Sequence, residues 1–287
     1  MTVAVVLLVL GSALAHATWN ALLKRSRDPE NTIVAMMGVA AAVGSVIALA
    51  LRTPIPAPKA LGWILASGVL EAGYFVTLSR ALSRAPLGRV YTIVRGGALV
   101  VVWPISMLVL GESMTFGRAI GTVLVGLGLA ATGFADGSPT VKPEDHGVVR
   151  SGLVVAAVCA LFVGGYHLAY KLALSNGGRP EAVNGLSLST AVLLNLVALT
   201  SSRRALVLRS FRQEPVRVAV GGVLGSVGFL VFLFAMKSAG AGVVLTLRNV
   251  SILFAQGLGI ALGERPRRLV LIGAALVTMG AVLLTRS

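Results

Sequence analysis

Two arginines lie inside long apolar segments, where a charged side chain is costly. Arg95 follows the run VYTIV, and Arg248 follows the run VVLTL. An arginine at membrane depth costs about 2.5–3.5 kcal/mol on the insertion scale, which suggests that the residue has a use there. A guanidinium binds carboxylate or phosphate through two parallel hydrogen bonds, so this pair is suited to holding an anion. The alternative is internal pairing with a carboxylate or with helix carbonyls.

Glu71 is the one acidic residue well inside an apolar segment. It is expected to act either as a counter-ion to Arg95 or Arg248 or as a carboxylate that carries a coupling proton. Ionisable groups in membrane spans mark both ion pairs and proton relays, and the two roles are compatible.

Aromatic and polar side chains accompany these charges at helical spacing. They share or adjoin helix faces in five apolar segments: His16, Trp19 and Asn20; Tyr74 with Glu71; Tyr91 with Arg95; Tyr166 and Tyr170 next to His167; and Asn249 with Gln256. Together they are expected to line a substrate cavity. The alternative for any single Tyr or Trp is an interfacial anchor or a core filler.

The sequence carries no signature of catalysis or of a bound cofactor. It has no GxxxxGK[ST] motif, which argues against ATP-driven transport by this chain alone. Cys159 is the only cysteine and His16, His146 and His167 are the only histidines, so a zinc site has few available ligands. We therefore expect no enzyme activity, no metal and no cofactor.

The composition indicates a membrane protein. Of the 287 residues, 56% are hydrophobic and 12% are charged, against roughly 25% charged residues in soluble domains. One soluble core of this length could not bury so much apolar surface. The net charge of +15 then reflects membrane flanking rather than nucleic-acid binding, because most basic residues lie in short gaps between apolar runs.

A membrane-spanning helix needs about 20 mostly apolar residues, and the chain contains ten such segments. They cover residues 2–23, 32–51, 61–82, 90–110, 118–135, 151–174, 183–200, 216–236, 241–262 and 268–285. The longest polar stretch lies near the middle. We therefore expect a first five-helix repeat at 1–136, a linker at 137–149 and a second repeat at 150–287.

The two halves are related by an offset of 152 residues. The triplet LGE at 110–112 recurs at 262–264, and Gly128 recurs as Gly280. With an odd number of spans in each half, the copies cross the membrane in opposite senses, which is the inverted repeat of many secondary transporters. An inverted pseudo-twofold would bring the two arginines near the midplane from opposite sides.

Basic residues are unequally shared between the two membrane faces. If the N-terminus is cytoplasmic, seven Lys and Arg residues flank the spans on the cytoplasmic side and sixteen on the other. The positive-inside rule therefore predicts that both termini face outward.

These residues resemble EamA-type transporters of the drug/metabolite transporter superfamily. Segments similar to the family's first, third, fourth and ninth helices lie at 15–25, 74–81, 90–96 with 110–112, and 247–251 with 262–264. The resemblance spans the whole chain, but its motifs are not specific to a substrate.

The resemblance implies a ten-helix bundle of two inverted repeats, a central cavity and alternating access, often exporting small metabolites. It also implies that both termini are cytoplasmic, in conflict with the charge count. Thr92 stands where the family often has a proline, which puts a broken fourth helix in doubt. Asn249 stands where an acidic residue often follows the arginine, which favours pairing of Arg248 with Glu71 or with an anionic substrate.

We therefore expect an all-α integral membrane protein with ten transmembrane helices as two inverted five-helix repeats. It would work as a multi-pass monomer in the cell (inner) membrane. Its partners would be a small-molecule substrate and the lipid bilayer, with no nucleic acid, and transport would be coupled to protons if Glu71 is the coupling group.

The expected function is secondary transport, in the direction of export, of a small organic metabolite with an anionic or zwitterionic group. The alternative is efflux of drugs and other cationic amphipaths, which would bind Trp19 and the tyrosines by cation–π contacts while the arginines are structural. A third hypothesis is a membrane scaffold that transports nothing.

Overall fold

The structure is a computed structural model that describes residues 2–85, 87–135, 146–251, 253–254, 257 and 268–286. Within these ranges it consists of α-helices. They are α1 (Val3–Lys24), α2 (Pro29–Ala50), α3 (Pro58–Arg84), α4 (Leu87–Leu110), α5 (Phe116–Ala135), α6 (His146–Ser175), α7 (Pro180–Ala198), α8 (Ser201–Gln213), α9 (Pro215–Ser238), α10 (Ala241–Arg248) and α11 (Arg268–Arg286).

Seven helices in the described part of the chain are long and apolar enough to cross a membrane, namely α1 to α4, α6, α7 and α9. The helices α5 and α11 contain shorter apolar segments, Phe116–Ala131 and Arg268–Leu284. The expected all-helical membrane architecture is confirmed. The exact number of ten spans is not confirmed. The helix α8 is additional, and within the predicted span 241–262 the structure describes one continuous helix only over Ala241–Arg248.

Prolines and capping side chains set the beginnings of several helices. The first turns of α2, α3, α7 and α9 each contain a proline, namely Pro29, Pro58, Pro180 and Pro215. The N–H groups of a first turn have no partner within the helix, so the N–H that proline lacks is not needed there. The Asp28 carboxylate also accepts a backbone N–H from the first turn of α2. All four prolines lie in gaps between the predicted spans, so helices do begin in these gaps.

The fourth helix is continuous through Thr92, whereas its counterpart in the second half stops early. In α10 the helix ends at Arg248, and the N–H groups of Asn249 and Val250 bond to carbonyls three residues back, each at 3.1 Å. This tighter hydrogen bonding is typical of the last turn of a helix. The end of α10 therefore places Arg248 at an interruption of the predicted ninth span.

Helix packing follows a twofold pattern. When α1 to α5 are matched in order with α6, α7, α9, α10 and α11, each major pairing maps onto another pairing or onto itself. Thus α3 packs on α6 as α9 packs on α1, and α2 packs on α9 as α7 packs on α3. The pairs α2–α7 and α5–α11 map onto themselves. The two halves therefore enclose a common core.

The α5–α11 contact runs through glycines that the 152-residue offset relates. A Cβ built on Gly121 would lie 2.9 Å from the carbonyl oxygen of Gly280, and one on Gly128 would lie 2.6 Å from that of Gly273. The earlier glycine of each helix thus meets the later glycine of the other, so these equivalent helices run antiparallel. Small residues allow helix backbones in membranes to approach this closely.

Gly128→Ala should destabilise the protein by about 1–3 kcal/mol, because the methyl group overpacks against the Gly273 carbonyl. Gly126→Ala is the matched control on the same helix, since a Cβ there meets nothing within 4 Å. Thermal unfolding in detergent measures both variants. Equal melting temperatures would contradict the packing account.

Candidate functional site

The charged residues of the spans lie in one buried region between the two halves. Arg95 of α4, Arg248 of α10 and Glu71 of α3 are 6%, 2% and 3% exposed. The two arginines are close enough to repel each other, and Arg248 is close enough to Glu71 to attract it. Groups that are far apart in sequence therefore share one electrostatic environment.

Arg95 faces the imidazole of His16 on α1. Its Nη2 contacts Nε2 of that ring, and the indole Nε1 of Trp19 donates to Nδ1 at 3.2 Å. Both neighbours are donors only, whereas a neutral imidazole has a single acceptor nitrogen. One of the two donors therefore lacks an acceptor. Among the ion pairs of the described residues, none joins Arg95 to a carboxylate.

Arg248 lies over two phenylalanine rings of α9. Its Cζ is 4.1 Å from the centroid of Phe232 and 5.0 Å from that of Phe229, within the range of cation–π contacts. Within the described ranges its guanidinium has no carboxylate partner, and its buried Nε has no hydrogen-bond partner. The rings stabilise the cation but leave hydrogen-bonding capacity unused.

Glu71 is held by hydroxyl groups. Ser187 of α7 donates to Oε2 of Glu71 at 2.7 Å, and the hydroxyl of Tyr170 is 3.3 Å from Oγ of Ser187. The Tyr170 hydroxyl also interacts directly with the Glu71 carboxyl, so both hydroxyl groups support this side chain. A direct ion pair of Glu71 with either arginine does not occur in the described structure. The carboxylate therefore interacts with Arg248 through space and not by direct contact.

A continuous run of rings joins the two arginine environments. Tyr74 and Tyr166 have centroids 5.6 Å apart, and Tyr166 stacks on His167 at 4.3 Å. His167 meets the edge of Phe232 at 5.2 Å, and Tyr170 contacts Tyr166 at 5.4 Å. The predicted aromatic residues of α3 and α6 therefore lie together, between Arg95 and Arg248.

A narrow cavity adjoins Arg95. It contains about 280 Å³ of empty space, some of it open to solvent, and is lined by Tyr74, Leu78, Val94, Arg95, Val163 and Tyr166. The part of this space that can hold solvent has room for about one water molecule, far less than the roughly 300–1,000 Å³ of small-molecule sites. A metabolite would therefore fit only after the lining side chains or helices move apart.

The remaining predicted residues lie in different places. The amide of Asn20 is half-buried and donates to the His16 carbonyl at 2.7 Å, one turn back on the same helix. Asn249 is buried directly after Arg248. The side chain of Tyr91 and all of Gln256 are outside the described residues.

Several buried polar atoms of this region have no hydrogen-bond partner among the described residues. They are Nε of Arg248, Nε2 of His167 and both amide atoms of Asn249. An unsatisfied buried polar group costs about 1–3 kcal/mol, so native proteins rarely leave several in one place. A ligand or water would complete them. No group of three or more metal-ligating side chains occurs within the part described.

Three residues of the site were not predicted. Ser187 lies on α7 and Phe229 and Phe232 lie on α9, helices that were not expected to line the cavity. A serine or phenylalanine in an apolar segment has the same sequence signal whether it faces lipid, core or ligand. The three-residue spacing of the phenylalanines was the one available sign that they share a helix face.

The helix α10 is fixed at its beginning by a carboxylate. Glu112, at the end of α4, accepts backbone N–H groups from Ala241 and Gly242 at 2.5 and 3.2 Å. Lys171 of α6 donates to two carbonyls at the end of α9, at 2.8 and 2.7 Å. Each charge complements the dipole of the helix end that it contacts. The connection before α10, and with it the position of Arg248, is therefore held from both sides.

Glu112→Ala should lower stability by about 1 kcal/mol, because two N–H groups of α10 lose their acceptor. Glu30→Ala removes a carboxylate from an exposed pair with Arg203 and should cost less, about 0–1 kcal/mol. Thermal unfolding of both variants measures the difference. A larger loss for Glu30→Ala than for Glu112→Ala would show that the α10 contact is unimportant.

The chain resembles known proteins both in its fold and in its sequence. A solved crystal structure matches with a TM-score of 0.74 at 21% sequence identity, covering 98% of each chain, and this likeness concerns the fold alone. No curated protein matches the chain. The model of the EamA-like transporter family matches residues 3–134 and 150–286. These two segments take up nearly the whole sequence, so the predicted resemblance is confirmed and the chain belongs to the EamA-like transporter family.

Proposed function

We propose that this protein is a secondary transporter of a small organic anion or zwitterion, working by alternating access in the direction of export. The observation that carries the proposal is the environment of Arg248. This guanidinium is 2% exposed, lies over two phenylalanine rings and has no carboxylate partner in the described structure. A buried charge with unmet hydrogen-bonding capacity is suited to an anionic group of a substrate.

The charges of the region favour the same ligand class. Arg95 and Arg248 repel each other, and among the described residues Glu71 is the one carboxylate whose interaction with either is evident. The region thus holds an excess of positive charge even when Glu71 is ionised. A bound carboxylate or phosphate would offset this excess and supply the acceptor that Arg95 and Trp19 cannot both obtain from His16.

The proposed transport cycle uses the repeat architecture. We propose ten spans in two inverted repeats, with α10 as the first part of the ninth span. The antiparallel contact of α5 with α11 and the twofold packing pattern support this arrangement. Interrupted helices at the substrate site are common in inverted-repeat transporters, and α10 ends at Arg248. Because each half supplies one arginine within a single chain, the proposed working unit is a monomer in the cell (inner) membrane.

Replacement of either arginine should weaken binding of the anion. We expect Arg95→Gln and Arg248→Gln each to reduce affinity about 10- to 100-fold, since a hydrogen bond to a charged group contributes about 1.5–3 kcal/mol. The measurement is thermal stabilisation of the purified protein by amino acids, organic acids and phosphorylated metabolites, followed by uptake into proteoliposomes. Arg150→Gln, an exposed arginine at the start of α6, is the matched control.

The screen also discriminates the second candidate function. The unbroken run of aromatic rings beside Glu71 is the feature that favours a cationic amphipath. If such cations stabilise wild type and both arginine variants equally, while no anion does, the anion proposal is wrong and efflux replaces it. Stabilisation by neither class, with no uptake, would favour the non-transporting scaffold.

Glu71 is the proposed proton carrier, with Ser187 and Tyr170 as its hydrogen-bonded support. Glu71→Gln should abolish accumulation driven by a pH gradient while substrate exchange across the membrane continues, because the amide cannot exchange a proton. Ser187→Ala should reduce accumulation less, since it leaves the carboxyl in place. Proteoliposome uptake with and without an imposed gradient measures both. Accumulation at the wild-type rate in Glu71→Gln would exclude this role.

A further inference from the structure

The helix α8 takes no part in the proposed transport site and has an unusual composition. Its sequence, SSRRALVLRSFRQ, contains four arginines and no acidic residue. Thirteen residues rise about 20 Å, too short for a hydrocarbon core of about 30 Å. Because α8 joins α7 to α9, two helices long enough to span, it must lie at the membrane surface.

One face of α8 is fixed to the protein. Val207 and Ser210 are buried, at 4% and 6% exposure, where α8 packs on α2. Arg203 pairs with Glu30 at 2.7 Å, and Arg204 donates to two carbonyls at the end of α7, at 2.8 and 3.0 Å. Two of the four arginines thus have structural partners, and they hold the orientation of the helix.

The other arginines lie on the outer part of α8. Arg209 and Arg212 are exposed; the first lies beside the neutral amide of Gln213, and the second has no hydrogen bond or ion pair within the described residues. Leu208 and Phe211, which alternate with them, are 65% and 37% exposed. The outer surface therefore combines two uncompensated cations with exposed apolar side chains.

This surface continues the lipid-facing surface of the neighbouring spans. Val197, near the end of α7, is 66% exposed, and Val216, at the start of α9, is 73% exposed. An acidic soluble partner would match the arginines but would leave the adjoining apolar side chains without a role. A lipid matches both, since its phosphate binds arginine and its acyl chains contact leucine and phenylalanine.

We propose that α8 is an interfacial helix that binds the phosphate groups of anionic phospholipids through Arg209 and Arg212, with Leu208 and Phe211 among the upper acyl chains. Basic clusters on amphipathic helices at membrane surfaces bind anionic lipids in this way. Three further arginines are exposed at the same end of the bundle, namely Arg25, Arg27 and Arg150. The Arg27 N–H bonds to Glu214, which directly follows α8, so the α1–α2 turn lies beside this helix. These arginines add to the attraction.

The test attaches a fluorophore to α8 and measures its quenching by brominated lipids, which requires contact with the acyl chains. Cys159 is the only cysteine and is buried, so Leu208→Cys in a Cys159→Ala background gives a single labelling site. The labelled protein is reconstituted in vesicles of phosphatidylcholine with a minor fraction of phosphatidylglycerol. Two samples are compared. In one the acyl chains of phosphatidylglycerol carry bromine, and in the other those of phosphatidylcholine do.

We expect brominated phosphatidylglycerol to quench more strongly than its mole fraction predicts, and brominated phosphatidylcholine to quench correspondingly less than its mole fraction predicts. In Arg209→Gln/Arg212→Gln this preference should fall roughly tenfold, whereas Arg209→Lys/Arg212→Lys should keep most of it. Lys59→Gln/Lys237→Gln removes the same charge from exposed positions on the opposite face and should keep all of it. Added salt should weaken the preference.

Quenching by each lipid in proportion to its mole fraction in the labelled parent protein would overturn the proposal without reference to any variant. A preference that survives Arg209→Gln/Arg212→Gln in a folded protein would overturn the assignment to these arginines. A preference that low millimolar inorganic phosphate abolishes would identify a site for free phosphate instead, and the lipid proposal would be wrong.

Discussion

A guanidinium buried in a membrane needs a stabilising partner, and the arrangement around Arg248 depends on which groups provide it. No described carboxylate reaches it; the faces of Phe229 and Phe232 do. For Arg248 to reach these rings, α10 must end at that residue and begin at a fixed position. Glu112 fixes the beginning by accepting two backbone N–H groups of α10. Aromatic faces stabilise a cation without using its N–H groups, so the donors stay available to a ligand.

The twofold arrangement brings two arginines together but gives them different surroundings. Arg95 lies on a continuous helix and shares His16 with Trp19, whereas Arg248 lies at a helix end over phenylalanine rings. The aromatic run through Tyr166 links the two environments. Two related but unequal halves are suited to a cycle in which the contacts on one side loosen while those on the other close.

The sequence was most informative where a single residue violates its local environment. Arg95, Arg248 and Glu71 are recognisable because charge is rare in apolar segments, and helix beginnings at Pro29, Pro58 and similar positions follow from backbone geometry. Which partner each charge takes depends on helix packing, so the Ser187 bond to Glu71 could not be predicted.

Other parts of the fold left weaker signals. The helix α8 is too short and too polar to be predicted as a span, and residues 201–215, which contain it, are only a gap between the predicted spans 183–200 and 216–236. The phenylalanines of α9 are indistinguishable in sequence from residues that face lipid. Periodicity identifies the faces of a helix, but not which neighbour each face meets.

The most direct test of the account is the distance between a bound anion and the two arginines. Solid-state NMR can measure it as the dipolar coupling between a ¹³C-carboxylate ligand found by the stabilisation screen and ¹⁵N-guanidinium groups of the protein in lipid. The account predicts a separation of about 4 Å to arginine nitrogens, with part of the coupling lost in Arg95→Lys and part in Arg248→Lys. A carboxylate farther than about 6 Å from every guanidinium, outside hydrogen-bond contact, would contradict it.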